Sequence, residues 1–137
     1  MKVFDTSFFQ ELFEQAEQSA RKRAHLNIHS SHQEKVQRLF IALVKGSYVE
    51  PHFHELDHQW EAFSVLRGVI EVKLYRFDGE VLSQFLVGEG QEAYSIEFQP
   101  NDIHSVECVT ERALMLEVKE GPFNPIFAKS FPHWRDK

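Results

Sequence analysis

From residue 29 almost to the C-terminus, the sequence consists of short segments that have the two-residue period of β-strands. Turn signals separate them: Asp78-Gly79 is typical of a hairpin, and Pro100-Asn101-Asp102 marks another turn. Eight short strands at regular spacing favour an all-β sandwich or small barrel. The segments are Val36–Val44, Tyr48–His54, Ala62–Leu66, Val69–Phe77, Val81–Val87, Glu92–Phe98, Ile103–Val109 and Ala113–Lys119.

Roughly the first 25 residues have the period of an α-helix instead. Asp5, Thr6 and Ser7 are alternative N-caps, and the basic residues 21–23 suit the negative end of the helix dipole. We therefore divide the chain into a helix with its lead-in segment, residues 1–28, and a single barrel with a C-terminal tail, residues 29–137. The apolar residues at helical spacing are Phe9, Leu12, Phe13, Ala16 and Ala20.

The composition excludes several functional classes. A net charge of −6 argues against a nucleic-acid-binding surface, which would be basic. A single cysteine, Cys108, excludes an internal disulfide and cysteine-rich zinc motifs. Because no apolar run is long enough to span a membrane and no secretory signal precedes the helix, we expect a cytoplasmic protein. The 13 phenylalanines offer more apolar surface than a barrel of this size easily hides, which predicts a homodimer.

Histidines and a carboxylate on successive segments predict a metal site. His52 and His54 are one residue apart on a predicted strand, so their side chains point to the same face. Glu61 and His104 come from separate segments and complete a set of three imidazoles and one carboxylate. Such a set suits one divalent transition metal, and the sequence does not distinguish Zn, Fe, Mn and Ni. His58 is an alternative to Glu61 as the fourth ligand.

Two segments resemble the paired motifs of the cupin superfamily. The interval between His54 and Glu61 is longer than in the usual first motif, which we interpret as an enlarged turn. The resemblance implies a double-stranded β-helix, or jelly-roll, barrel that follows the N-terminal α-helix and holds a metal. The segments are Gly46-x5-His52-x-His54-x6-Glu61-x6-Gly68 and Pro100-x3-His104.

Further short motifs are spread along most of the chain, at Arg21–His29, Val36–Arg38, Tyr48-Val49, Val65–Gly68 and Glu117–Pro122. Together they resemble the WbuC family of cupin-fold metalloproteins, which is found in bacterial surface-polysaccharide gene clusters. The resemblance implies a bound metal without a settled reaction.

Polar residues near the start of the predicted barrel are candidates for binding or chemistry. Arg38 alternates with apolar neighbours, so it is predicted to face the interior, where it would pair with an anionic ligand or with an internal acid. Asn27 is a further candidate for ligand binding. His29 and His58 are candidates for acid–base catalysis.

Two classes of function remain open at this point. The first is an enzyme, a metal-dependent isomerase, epimerase or dioxygenase that acts on a small polar molecule, sugar-like or anionic, in surface-polysaccharide metabolism. The second is a binding module for such a molecule, in which the metal is structural. A metal with open coordination positions that face a pocket would favour the enzyme.

Overall fold

The computed structural model describes residues 1–135, in which one α-helix is followed by nine β-strands and a short 3-10 turn at Pro125–Phe127. Short turns join most of the strands, as the sequence predicts. The elements are α1 (Thr6–Gln18), β1 (Arg23–Asn27), β2 (Val36–Val44), β3 (Tyr48–His52), β4 (Glu61–Arg67), β5 (Val69–Tyr75), β6 (Val81–Gly88), β7 (Ser95–Phe98), β8 (Ile103–Cys108) and β9 (Arg112–Glu120).

The strands form two antiparallel sheets that enclose the main core. The first sheet has the order β1-β2-β9-β4-β7, and the second has the order β3-β8-β5-β6. Leu39, Ile41 and Phe63 of the first sheet belong to the same buried cluster as Ile70 and Val106 of the second. This burial of apolar surface between the sheets is the main source of stability for such a fold.

The helix packs on the outer face of the first sheet. Leu12, Phe13 and Ala16 of α1 are buried against Phe40 and Leu114 of the strands below them. Residues 39–43 of β2 are therefore buried on both faces, which explains why residues 39–44 are continuously apolar where a half-exposed strand would alternate.

The helix is shorter than the sequence analysis predicts. Asp5 is its N-cap and accepts a hydrogen bond of 3.0 Å from the backbone N–H of Phe8, and the helix ends at Gln18. The residues after it turn and form β1, Arg23–Asn27, which pairs with β2. The prediction that residues 21–23 complement the helix dipole is wrong, because they lie in this turn and at the start of β1. The division of the chain at residue 28 stays a prediction.

The segment after β9, residues 121–135, folds back beside β3. Phe53 and Ser130 exchange two backbone hydrogen bonds of 2.9 Å, and the Gln59 side chain donates to the carbonyl of Phe127 at 2.7 Å. We call residues 121–135 the C-terminal segment. Across the described part of the chain, no helix has the length and apolar character needed to cross a membrane.

Candidate metal centre

Four side chains from both sheets meet at one end of the space between them. His52 ends β3 and pairs across the ladder with His104 of β8, and their ring centroids are 4.4 Å apart. His54 follows two residues after His52, and Glu61 begins β4 in the opposite sheet. Phe98 stacks on the His104 ring at 3.7 Å between centroids and so restricts its orientation.

The four side chains fit around one ion. One ligand atom from each of His52, His54, Glu61 and His104 lies within 4.8 Å of the others, and all four residues are buried. Nitrogen and carboxylate oxygen donors at this separation match the first coordination shell of a divalent transition metal. The structure thus brings together the four residues that the sequence predicts as metal ligands. His58, the alternative to Glu61, is not part of the group.

Each of the three imidazoles is held by a backbone carbonyl. The Nδ1 atoms of His52, His54 and His104 lie 2.8 Å from the carbonyl oxygens of Glu50, Ala128 and Asp102, respectively. A carbonyl oxygen only accepts, so each Nδ1 carries the proton and donates it. In the neutral ring this leaves the lone pair on Nε2, which is the state and orientation that a metal-binding histidine requires.

The contact between His54 and Glu61 shows whether the cluster of four side chains is suited to a cation. His54 Nε2 is buried without a hydrogen-bond donor, and it lies 2.8 Å from Glu61 Oε1. With the ring proton on Nδ1, two atoms that bear lone pairs face each other, and only a proton or a metal cation between them makes this contact favourable. The donor set therefore fits a metal.

Burial governs the electrostatics of the imidazoles. Burial, together with the nearby His104 ring, lowers the pKa of His52 from its ordinary value of 6.5 to about 3. Burial also lowers the pKa of His104. Both rings therefore stay neutral at physiological pH and remain able to bind a metal.

Two carboxylates next to each other have pKa values shifted in opposite directions. Burial raises the pKa of Glu61, but when a proton lies between Glu61 and His54 Nε2, the resulting hydrogen bond and the charges of His54 and Lys119 outweigh burial, and the net shift is downward. Burial and the charge of Glu61 raise the pKa of Glu117 well above its ordinary value. Lys119 Nζ lies 3.9 Å from Glu61 and 3.6 Å from Glu117, so one ammonium group contacts both.

The four residues lie in the wall of a cavity of about 680 Å³ between the sheets. Leu39, Ile41 and Met115 provide apolar lining, while Asn27 and His29 provide polar lining. His29 is buried, and its Nδ1 lies 3.0 Å from the backbone nitrogen of Arg38 and 2.9 Å from the Arg38 carbonyl oxygen, so the ring is anchored to β2. Asn27, the candidate for ligand binding, and His29, the candidate for acid–base catalysis, therefore both line this cavity, and their roles stay predictions.

The prediction that Arg38 faces the interior is wrong. Arg38 is exposed, whereas Gln37 and Leu39 on either side of it are buried and line the cavity. Since successive side chains of a strand point to opposite faces, Arg38 belongs to the outer face of the sheet. It therefore cannot bind a ligand in this cavity.

His58 is also absent from the lining of the main cavity. It lines a separate cavity of about 40 Å³ that His54 and Glu61 also touch. A cavity of that size admits water rather than a substrate, so the position of His58 does not favour the predicted role in catalysis.

Several charged residues of the main cavity were not predicted as site residues. Glu117 and Lys119 lie on β9 two residues apart, a spacing that places them on one face. Arg21, Arg23 and His25 precede or belong to β1, where polar and apolar residues alternate, and this alternation is the sequence signal that distinguishes the stretch from a helix. Lys129 of the C-terminal segment completes the charged lining, and no sequence pattern indicates it.

Comparison with solved structures shows the fold. The capsular polysaccharide assembling protein CapF from Staphylococcus aureus matches with a TM-score of 0.67 at 16% identity, over 82% of this chain. Oxalate oxidase in complex with glycolate matches with a TM-score of 0.60 at 13% identity, over 82% of this chain and 56% of its own. A cupin 2 conserved barrel domain protein from Leptotrichia buccalis matches with a TM-score of 0.56 at 21% identity, over 75% of this chain and 43% of its own.

These likenesses confirm the predicted all-β cupin barrel with an N-terminal helix. The chain spans about a third of the CapF chain, 32% of its length. A search of curated proteins gives no match. The family that matches the sequence, over residues 4–87, is described as "Domain of unknown function (DUF6016)", so the closer resemblance to the WbuC family stays a prediction. Since that match covers more than half of the chain, the protein belongs to the DUF6016 family and has the cupin fold.

Proposed function

We propose that this protein is a cupin that holds one divalent transition metal with His52, His54, Glu61 and His104 and binds a small polar molecule beside it. The observation that carries the proposal is the set of three Nδ1–carbonyl hydrogen bonds, which leaves three Nε2 lone pairs and one carboxylate directed into the same space. A cluster of this kind without a cation would retain the unfavourable contact between His54 and Glu61.

The metal, when bound, would supply a Lewis acid for a carbonyl, a hydroxyl or water. Residues of the chain would bind the ligand and transfer protons. Glu61, Glu117 and Lys119 form a connected group of charges at the cavity wall. His29, anchored through Nδ1, is the remaining buried imidazole of the cavity and is our candidate for acid–base chemistry on a bound molecule.

The size and lining of the cavity support a ligand of sugar size. A volume of about 680 Å³ falls within the range of small-molecule sites. The capsular polysaccharide assembling protein CapF has a similar fold. The resemblance to the WbuC family points to the same area of metabolism. We therefore propose a role in bacterial surface-polysaccharide metabolism, with a sugar-like or anionic molecule as ligand.

Elemental analysis of protein purified without chelators tests the metal site. We expect close to one transition-metal ion per chain, and we expect His54→Ala to lose it and to melt several degrees lower, since binding to the folded state adds stability. His133→Ala is the matched control, because His133 is exposed and outside the cluster. Metal-free parent protein, or equal metal content in parent and His54→Ala, would contradict the proposal.

Loss of turnover, separate from loss of metal, distinguishes an enzyme from a binding module. His29→Gln should keep the metal and reduce turnover of any sugar derivative that the parent protein converts. If the parent binds such a compound but never converts it, the metal-binding proposal stands and the protein is a binding module.

A further inference from the structure

The residues that lead into β1 and form it have two distinct faces. Ala24, Leu26 and Ile28 are partly buried against the helix cluster. The odd-numbered residues of this stretch line the cavity instead, which explains why they are polar while the even-numbered residues from 24 to 28 are apolar. The cavity-facing residues are Arg21, Arg23, His25, Asn27 and His29.

Three cations gather where this row meets the C-terminal segment. Arg21, Arg23 and Lys129 all line the cavity, and none of them forms a salt bridge with an acid in residues 1–135. Glu50 is near Arg23, but both of its carboxylate oxygens are bound by Arg135, at 2.6 and 2.9 Å. No acid of residues 1–135 is therefore in a direct ion pair with any of the three side chains.

These cations are close enough to affect one another. Although the Lys129 side chain is exposed, desolvation where it borders the cavity and the charges of Arg23 and Arg21 lower its pKa, and Glu61 and Glu117 oppose the shift. Partial burial, Arg21, Arg23 and Lys129 lower the pKa of His25 to about 4. Such mutual repulsion is unfavourable unless an anion lies among the cations. Since Glu61 also acts on Lys129, the cation cluster and the metal centre share one cavity.

We propose that Arg21, Arg23 and Lys129 form a phosphate-binding subsite at the edge of the cavity, so that the ligand carries a phosphate group and presents its remaining polar part to the metal centre. Three cations match a dianion better than a single carboxylate, and guanidinium groups bind phosphate oxygens in pairs. The protein has a net charge of −6, so the attraction is local to this subsite.

The subsite deepens the proposed function, because it names the class of ligand for the same cavity. Isothermal titration at low ionic strength tests it with inorganic phosphate, glucose 1-phosphate, glucuronate and glucose as probes. We expect glucose 1-phosphate to bind about tenfold or more tightly than glucuronate, and glucose to bind weakest. Glucuronate that binds as tightly as glucose 1-phosphate would overturn the assignment to phosphate.

Matched variants locate the subsite. Arg21→Gln/Arg23→Gln and Lys129→Gln should each weaken phosphate binding about tenfold or more. Arg38→Gln removes an exposed cation from the opposite face of the same sheet and should leave the affinity for phosphate unchanged. The assignment of the subsite is wrong if the two subsite variants bind phosphate as tightly as the parent does. It is also wrong if the control Arg38→Gln weakens phosphate binding as much as they do. Should the double variant fail to fold, Lys129→Gln decides alone, since Lys129 lies outside the sheets.

Metal analysis of the same samples separates this inference from the proposed function. Phosphate binding that depends on the three cations supports the subsite even in protein that carries no metal. Conversely, metal-loaded protein that does not bind phosphate overturns the subsite and leaves the metal centre intact.

Discussion

The backbone fixes the chemistry of each metal-binding imidazole, but over different distances along the chain. His52 and His104 donate to the carbonyls of Glu50 and Asp102, each two residues earlier, so the local strand geometry supplies their acceptors. His54 donates to Ala128, 74 residues away. Its orientation therefore depends on the C-terminal segment, and outer hydrogen bonds of this kind affect metal affinity strongly.

At the residue scale, Gly68 is a position where a single added side chain would be strongly destabilising. Its φ of +70° lies in the left-handed region, and an added Cβ would collide with the carbonyl oxygen of Arg112 and lie 2.7 Å from Thr110 Oγ1. We expect Gly68→Ala to lower the free energy of unfolding by about 3 kcal/mol or more, because both strain and overlap contribute. Urea denaturation measures the loss.

Gly90 is the matched control for that substitution. Its φ is +74°, but no atom lies within 4 Å of an added Cβ. Gly90→Ala should therefore lower the free energy of unfolding by about 1 kcal/mol, which is the cost of the left-handed backbone conformation without any steric overlap. Equal losses for the two variants would show that crowding at Gly68 does not matter.

The four metal ligands could be predicted from the sequence, whereas the direction of Arg38 could not. Spacing places His52 and His54 on one face whatever the rest of the fold is. Strand β2 gives no such information, since Leu39 faces the cavity and Phe40 faces the helix, and both are apolar. Only the position of the helix determines which side of β2 is the interior.

At the element scale, β1 shows why the helix prediction extended too far. Ala20 and Ala24 continue a helical spacing, while the alternation from Arg23 to His29 has the period of a strand. Pairing with the edge of β2 decides between the two, and this is a tertiary interaction that local patterns do not contain. The same conflict conceals the cavity-facing charges of β1, Arg23 and His25, in the sequence.

The C-terminal segment should control metal affinity through the Ala128 carbonyl. Ending the chain at Glu120 removes the acceptor of His54 Nδ1, so the ring loses its fixed tautomer and orientation. We expect metal affinity to fall by about 10- to 100-fold, measured by competition with a coloured chelator. Deletion of residues 1–3, which are exposed, is the control. Unchanged affinity in a folded truncated protein would refute this role.

At the scale of the whole molecule, the predicted homodimer needs a different interface from the one the sequence suggests. The apolar stripe of α1 is buried on its own sheet. Strand β6 is instead an edge strand, and Val81, Leu82 and Leu86 on it are exposed. An exposed apolar edge favours pairing with a second copy.

Light scattering tests this interface. We expect a mass near twice 16.1 kDa for the parent and a monomer for Leu82→Lys. Leu66→Lys is the control, because Leu66 is exposed on β4 of the other sheet. A monomeric parent at all concentrations would refute the dimer, and dissociation by Leu66→Lys alone would refute the choice of β6.

Acid should destabilise the metal-free protein through its buried imidazoles. The unfolded chain binds a proton on His52 near pH 6.5, whereas the folded chain does so only near pH 3. The stability that neutral His52 contributes is therefore present above pH 6.5 and is lost progressively as the pH falls toward 3. Glu117 acts in the opposite sense: its pKa is raised on folding, so its contribution is lost as the pH rises.

The size of the His52 contribution can be measured between pH 7 and pH 5, where the unfolded state takes up most of one proton. The metal-free parent should lose about 2 kcal/mol more of its unfolding free energy over this interval than metal-free His52→Gln does. Urea denaturation at the two pH values gives the difference. His133→Gln, which removes an exposed imidazole, should lose as much as the parent. If His52→Gln has the same pH dependence as the parent, burial does not hold the His52 ring neutral, and protons would compete with the metal for Nε2 near neutral pH.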